Sequence, residues 1–125
     1  MNDFGPVICA ITRKQLLEDG FQIDVTKTAQ EAGIRFPVFM NRTVWDKYVA
    51  VPPGVEAQDE AGRLWDVIWM TRFAISKTKG AVAEVKLCVC NDNRRPKLVK
   101  LKAICGPMDI DNGSPAITIM LPDED

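Results

Sequence analysis

The stretch Val82-Ala-Glu-Val-Lys-Leu-Cys-Val-Cys90, Asn91-Asp-Asn-Arg-Arg-Pro96, Lys97-Leu-Val-Lys-Leu-Lys-Ala-Ile104 decides the reading of the fold. In a β-strand successive side chains point to opposite faces. Over residues 82–90 one face then carries Ala83, Val85, Leu87 and Val89, all apolar. The other carries Glu84, Lys86, Cys88 and Cys90, so the first set is the core face. Residues 91–96 form a polar turn. Residues 97–104 alternate again, with Val99, Leu101 and Ala103 on the apolar face and Leu98, Lys100 and Lys102 opposite. Gly106-Pro107 and Asn112-Gly113-Ser-Pro115 punctuate the C-terminal portion, and residues 116–121 read as a third strand. Three sequential strands with short turns predict an antiparallel meander, buried on one side and wet on the other.

Moving toward the N-terminus, the pattern changes to helical. Residues 57–77 form the longest helix candidate. Ala61, Leu64, Trp65, Ile68, Thr71 and Ile75 make one stripe, broadened by Val67 and Phe73. Gln58, Asp59 and Glu60 suit its positive N-terminal end, and Arg72 and Lys77 its negative C-terminal end. A strand over residues 64–75 is the alternative, since Trp, Val, Ile and Phe favour sheets. Pro52-Pro53-Gly54 breaks the chain before it. A shorter helix is expected over residues 44–49, capped by Asn41 or Thr43. Phe36-Pro37-Val38 reads as extended, because a residue before proline is pushed out of the helical region. Thr26 or Thr28 can cap a short helix ending at Gly33. Phe21, Ile23 and Val25 alternate with polar residues as a strand does. Thr12-Arg-Lys-Gln15 reads as a capping box opening a helix over residues 13–19, ended by Gly20. Residues 7–11 are a short apolar run, either a strand or a buried lead-in.

These elements add up to an α+β fold, with N-terminal helices and a short strand packed on a C-terminal three-stranded antiparallel meander. At 125 residues the chain is read as a single domain, residues 1–125. Apolar residues make up 46% and charged residues 26%, which argues against disorder and coiled coil. The chain contains no histidine, and this excludes Ser-His-Asp and Cys-His nucleophiles and HExxH zinc sites. It has no Gly-rich phosphate loop and no nucleophile elbow, and its carboxylates are scattered. Nothing in it supports an enzyme. No apolar run approaches the length needed to cross a bilayer, and an acid stands near the N-terminus where a leader wants a base. A cytoplasmic location, no membrane association and no cofactor are therefore expected. Cys9, Cys88 and Cys105 sit in apolar strings and are read as small reduced hydrophobes. A four-cysteine zinc site with Cys90 is disfavoured by the one-residue spacer between Cys88 and Cys90.

Charge is unevenly spread. Residues 1–71 hold seven bases and ten acids, residues 72–102 nine bases and two acids, and residues 103–125 five acids and no base. The near-neutral total hides a basic middle and an acidic end. Arg94, Arg95, Lys97, Lys100 and Lys102 cluster at and after the turn, with Lys86 on the partner strand. Such a ridge can meet an acidic protein surface or track phosphates. Equally, lysines can guard an edge strand against unwanted pairing. Asp123, Glu124 and Asp125 can be a solvated end, a shield for the ridge, or a phosphate mimic. Asp109, Asp111 and Asn112 resemble part of a calcium loop that lacks its closing glutamate. Trp65 and Trp69 lie four apart on a helix, with Arg72 in stacking reach of Trp69 and Arg63 in pairing reach of Asp66. Core packing is the default for both tryptophans, and an anchor for a partner is the alternative.

Several strings resemble a family of small uncharacterised proteins from bacterial plasmids, phages and integrated elements. They are Ile11-Thr-Arg-Lys-Gln15, Glu18-Asp-Gly20, Asp24-Val25, Glu31-Ala-Gly33, Phe36-Pro-Val38, Gln58-Asp-Glu-Ala-Gly-Arg-Leu-Trp-Asp66, Met70, Arg72-Phe-Ala-Ile75, Leu101-Lys-Ala-Ile-Cys-Gly-Pro107 and Ile117-Thr-Ile-Met-Leu-Pro122. The likeness covers most of the chain and lapses over residues 77–93. It implies a setting, an accessory gene of mobile DNA, and no catalytic residues. By analogy with such genes, a non-enzymatic protein that occupies a host protein is expected, with a restriction or CRISPR component as the kind of partner. Arg94, Arg95, Lys97, Lys100, Lys102, Asp123, Glu124 and Asp125 are the expected contact residues. Nucleic-acid binding through the ridge is the alternative, and an enzyme comes third.

Overall fold

The structure, a computed structural model, describes residues 11–125. Of the run at residues 7–11, all but Ile11 lies outside them, as does Cys9. Thr12 is extended, and its hydroxyl accepts a hydrogen bond from the Gln15 amide at 3.0 Å, which opens helix α1 (Arg13–Glu18). Gly20, with φ +80°, turns the chain into strand β1 (Gln22–Asp24). The Asp24 carboxylate accepts from the Thr26 amide at 2.9 Å where helix α2 (Thr26–Glu31) begins. Thr26 is therefore the first helical residue and not the cap. Its hydroxyl instead bonds both the amide and the carbonyl of Val38, joining α2 to strand β2 (Val38–Asn41).

A short helix α3 (Arg42–Val44) runs straight into a π-helical turn (Trp45–Val49), closed by the Ala50 amide bonding the Trp45 carbonyl five residues back at 2.8 Å. Helix α4 (Glu60–Ser76) is the longest helix described, capped by Asp59, whose carboxylate accepts from the Gly62 amide at 2.7 Å. Strands β3 (Val82–Val89), β4 (Lys97–Asp109) and β5 (Asn112–Met120) complete the chain.

The meander expected from the alternation is present, with β3 antiparallel to β4 and β4 antiparallel to β5. It forms part of a larger mixed sheet ordered β1-β2-β5-β4-β3. Strand β2 lies parallel to β5, pairing Val38 with Ile117 and Met40 with Ile119, and β1 flanks β2 antiparallel. Gly106-Pro107 does not end a strand: β4 runs through it to Asp109, with a register shift between Pro107 and Asp109. The turn is Ile110-Asp111, and Asn112-Gly113 already belongs to β5.

One face of the sheet carries Ala83, Val85, Leu87, Val89, Leu101, Ala103, Ile117, Ile119, Val38 and Met40, all buried in one core with Val67 and Ile68 of α4. Each large aliphatic side chain buried there contributes roughly 1.5–3 kcal/mol. The opposite face is covered only in part. Across β2 and β5, Phe39, Ala116, Thr118 and Met120 are buried, and α1 lies there through Arg13. Across β3, the residues Val82, Glu84, Lys86 and Cys88 are exposed. The expected stripe of α4 is rotated. Arg63, Val67, Ile68 and Thr71 face inward, whereas Ala61, Trp65 and Phe73 are exposed.

Candidate binding surface

Two arginines are wired into the fold and mark where a docking surface is not. Arg13 bonds the Met108 carbonyl at 2.6 Å, Gln22 at 2.9 Å and Thr118 at 3.0 Å, and its guanidinium lies 4.2 Å from the centre of the Phe39 ring. Burial lowers its pKa and the nearby Asp109 charge opposes that. Asp109 in turn accepts from the backbone amides of Ile110, Arg13 and Lys14 at 2.8–3.1 Å. Those bonds, Ile110 first, hold its carboxyl below the usual carboxylate range. The calcium-loop likeness at Asp109 is therefore a helix clasp: the carboxylate serves the first amides of α1.

Arg63 is 6% exposed. It bonds the Val49 carbonyl at 3.1 Å, Gln58 at 2.8 Å, the Cys90 carbonyl at 2.9 Å and Asn91 at 2.6 Å. Burial lowers its pKa, opposed by Cys90. The pairing expected with Asp66 does not form, because Arg63 turns inward and Asp66 is exposed. Every acceptor around Arg63 is neutral, and together they tie the π-turn, the loop before α4 and the turn of the β3–β4 hairpin to one cation. Sequence reasoning missed this role. The available signal was that Arg63, Val67, Thr71 and Ala74 share one helical face.

The remaining cations point elsewhere. Arg94 and Arg95 are exposed in the turn after β3, and Lys97 is exposed at the start of β4. Lys100 is exposed and Lys102 half-buried on the open face of the sheet, where their partners across β3 are Lys86 and Glu84. Lys97 faces the other way, paired with the core residue Val89, so the cluster is split between the hairpin's two faces. Glu84 pairs with Lys86 at 3.5 Å. The acidic end is placed apart: Glu124 accepts from Thr43 at 2.8 Å, Asn41 at 3.4 Å and the Leu121 amide at 2.8 Å, while Asp123 and Asp125 are exposed. Among the described residues the ion pairs are Arg42–Asp46 and Lys86–Glu84, and the tail takes part in neither.

The outward face of α4 carries an aromatic row at four-residue spacing: Trp65 at 38% exposure, Trp69 at 46% and Phe73 at 49%. Core packing thus does not describe the two tryptophans. Their rings stack on each other, 5.9 Å between centroids. Arg72 lies over Trp69 at 5.3 Å and Lys77 over Phe73 at 4.3 Å. A groove joins this row to the rim of β3 and β4, lined by Trp65, Asp66, Trp69, Lys86, Cys88 and Leu98. Leu98 is 63% exposed. An outward row of large apolar side chains edged by cations is the composition found at interface centres. Cys88 and Cys105, read as small hydrophobes, are both exposed, and for Cys88 this agrees with its place on the face opposite the core. Cys88 falls on the open face of β3, and Cys105 lines a cavity with Ile75, Ala103 and Ile117. Among the described residues no helix is long and apolar enough to cross a membrane.

The chain belongs to a family of unknown function, DUF6573, which it matches over residues 1–125. Neither the curated proteins nor the solved structures provided a match.

Proposed function

We propose that this chain is a non-enzymatic binding protein that takes a protein partner on the aromatic row of α4 and the cations of the β3–β4 hairpin. The observation that carries the proposal is the outward row Trp65, Trp69 and Phe73, whose two tryptophans share one groove with Lys86 and Leu98. Tryptophan and arginine are among the residues that dominate binding energy at protein interfaces. The partner surface they fit is apolar at its centre and acidic at its margin. The likeness to accessory proteins of mobile DNA supports a host protein in that role, with restriction and CRISPR components the class to try first. Exposed thiols at Cys88 and Cys105 suit a reducing compartment such as the cytoplasm.

Nucleic acid is the second reading, favoured by aromatics standing next to cations. Two features weigh against it. The tryptophans already stack on each other and Arg72 lies over Trp69, so bases have to displace a cover. Asp66 and Glu84 also stand among the cations and repel phosphates. The deciding experiment is capture from host lysate with three baits: the unaltered chain, Trp69→Ala, and Arg94→Glu with Arg95→Glu. The proposal expects one protein retained by the first and lost by both others, and no retention of DNA or RNA. Retention of nucleic acid that falls steeply with salt and is lost on charge reversal would replace it with the second reading.

A further inference from the structure

Among the described residues, strand β3 is one rim of the sheet, paired only with β4. The Cys105 amide donates to the Ala81 carbonyl at 2.8 Å, so positions 81 and 105 form a hydrogen-bonded pair. Antiparallel ladders alternate hydrogen-bonded and non-hydrogen-bonded pairs. Along β3 the odd residues Ala83, Val85 and Leu87 therefore bond β4. The amides and carbonyls of Val82, Glu84, Lys86 and Cys88 point to the open rim. These are the residues whose side chains stand on the bare face. Eight residues of regular, unbulged strand make a long template for another strand.

The side chains along this rim are complementary to themselves. Two copies of β3 brought together antiparallel around a two-fold axis must pair even residues with even residues, because only those have free backbone groups. Three central registers satisfy this. An axis between two Glu84 residues sets carboxylate against carboxylate, and an axis between two Lys86 residues sets ammonium against ammonium. An axis at Val85 sets Glu84 against the second copy's Lys86 and Lys86 against its Glu84. It also sets Val82 against Cys88, so that every free donor and acceptor of the four residues gains a partner. On the core side it places small Ala83 against large Leu87. We infer that β3 pairs antiparallel with β3 of a second copy of this chain about an axis at Val85, making one continuous sheet from two chains. Such an interface is isologous, and each charge pair occurs twice. The rim groove beside α4, with its apolar Trp65, Trp69 and Leu98, adds non-polar area next to the strand pair. The antiparallel arrangement sends the two Arg94–Arg95 turns to opposite ends of the pair. This inference goes beyond the partner-binding proposal and shares its groove at Lys86; it is read out through the charge exchange of Glu84 and Lys86, whereas that proposal is read out through Trp69 and the turn arginines.

The experiment is light scattering on the full-length chain across concentrations up to millimolar, with Glu84→Lys, Lys86→Glu and the double exchange. Both residues are exposed, so each variant should fold, and circular dichroism checks that it has. The unaltered chain should give twice the monomer mass. Each single exchange should give the monomer, because it sets like charges opposite each other in both symmetric pairs. The double exchange should regain the dimer. Amide exchange provides an independent readout: Glu84 and Lys86 should be slow in the dimer and fast in either single variant. A monomer at every concentration, a dimer indifferent to the single exchanges, or a double exchange that stays monomeric would overturn the inference. Slow rim amides in a monomer would overturn it as well, since they assign the rim to another occupant.

Discussion

The two ends of the five-stranded sheet are finished in different ways. At the β1–β2–β5 end both faces are covered, the outermost strand has three residues, and the cation Arg13 is held by three acceptors and an aromatic ring. At the β3–β4 end one face is bare and the outermost strand has eight residues. There Lys86 has one acid 3.5 Å away, while Arg94 and Arg95 stand exposed in the turn. Arg13 is thus built into the covered end, whereas at the other end Arg63 is buried but Lys86, Arg94 and Arg95 stay exposed. Exposed cations bring little stability to a fold, typically below about 1 kcal/mol for an ion pair.

The sharpest way to break this contrast is to remove the cation that holds the turn of the bare hairpin. Arg63→Met keeps an unbranched stem and deletes the guanidinium donors, leaving the Val49 and Cys90 carbonyls without them. A loss of about 3 kcal/mol is expected, read from the midpoint of urea unfolding at unchanged slope. If the variant is as stable as the unaltered chain, Arg63 is no clamp and belongs with the available cations. Arg13→Leu tests the covered end. It loses three hydrogen bonds and the contact with Phe39, and about 2 kcal/mol is expected in the same measurement. The two sites share no partner, so the double variant should show additive losses.

Asp109 sharpens the contrast through pH. Its folded pKa lies below the unfolded value because three backbone amides donate to the charged form, Ile110 first. A carboxylate with a lowered folded pKa contributes stability that is complete above the unfolded value of about 4. That contribution fades as pH falls through the folded value. Unfolding midpoints should therefore drop on acidification below pH ~4, and Asp109→Asn should flatten part of that drop. The effect is expected to be smaller than that of Arg13→Leu. An unchanged acid limb in Asp109→Asn would mean that the clasp on α1 adds no stability.

Legibility in the chain tracks the range of the interactions. The β3–β4 hairpin was legible because alternation within each strand and a polar turn between them are local, and one face is apolar without exception. The parallel pairing of β2 with β5 was not legible. Val38, Phe39 and Met40 are buried on both sides, so the short run does not alternate, and its partner lies about eighty residues away. The phase of α4 was ambiguous because Leu64, Trp65, Val67, Ile68, Trp69 and Met70 leave few polar positions to mark the wet side. Packing against the π-turn and β3 chose a phase that turns Arg63 in and Trp69 out. Asn112-Gly113 looked like the hairpin turn, yet the turn falls two residues earlier, where Asp109 is held against α1. Of the candidate site, the turn arginines were legible as a charge cluster. The aromatic row of α4 depended on the phase of that helix, which the sequence leaves open.

The smallest effect has the opposite sign. Lys86 and Lys100 are directly opposed across β3 and β4. They form a non-hydrogen-bonded pair, the kind in which the two Cα atoms are about 4.5 Å apart and side chains crowd. Like charges so placed destabilise a sheet by a few tenths of a kcal/mol, and Glu84 at 3.5 Å from Lys86 offsets only part of that. Lys100→Glu replaces the repulsion with an attraction and should raise stability by about 0.5 kcal/mol in urea unfolding. If the cations of the bare end serve partner binding, the same variant should hold the captured protein less well while being the more stable chain. A gain in stability with undiminished capture would detach Lys100 from the binding surface and leave Arg94 and Arg95 as its charged part. A loss of stability would show that the opposed lysines help to hold the hairpin and would bring the bare end closer in character to the covered one.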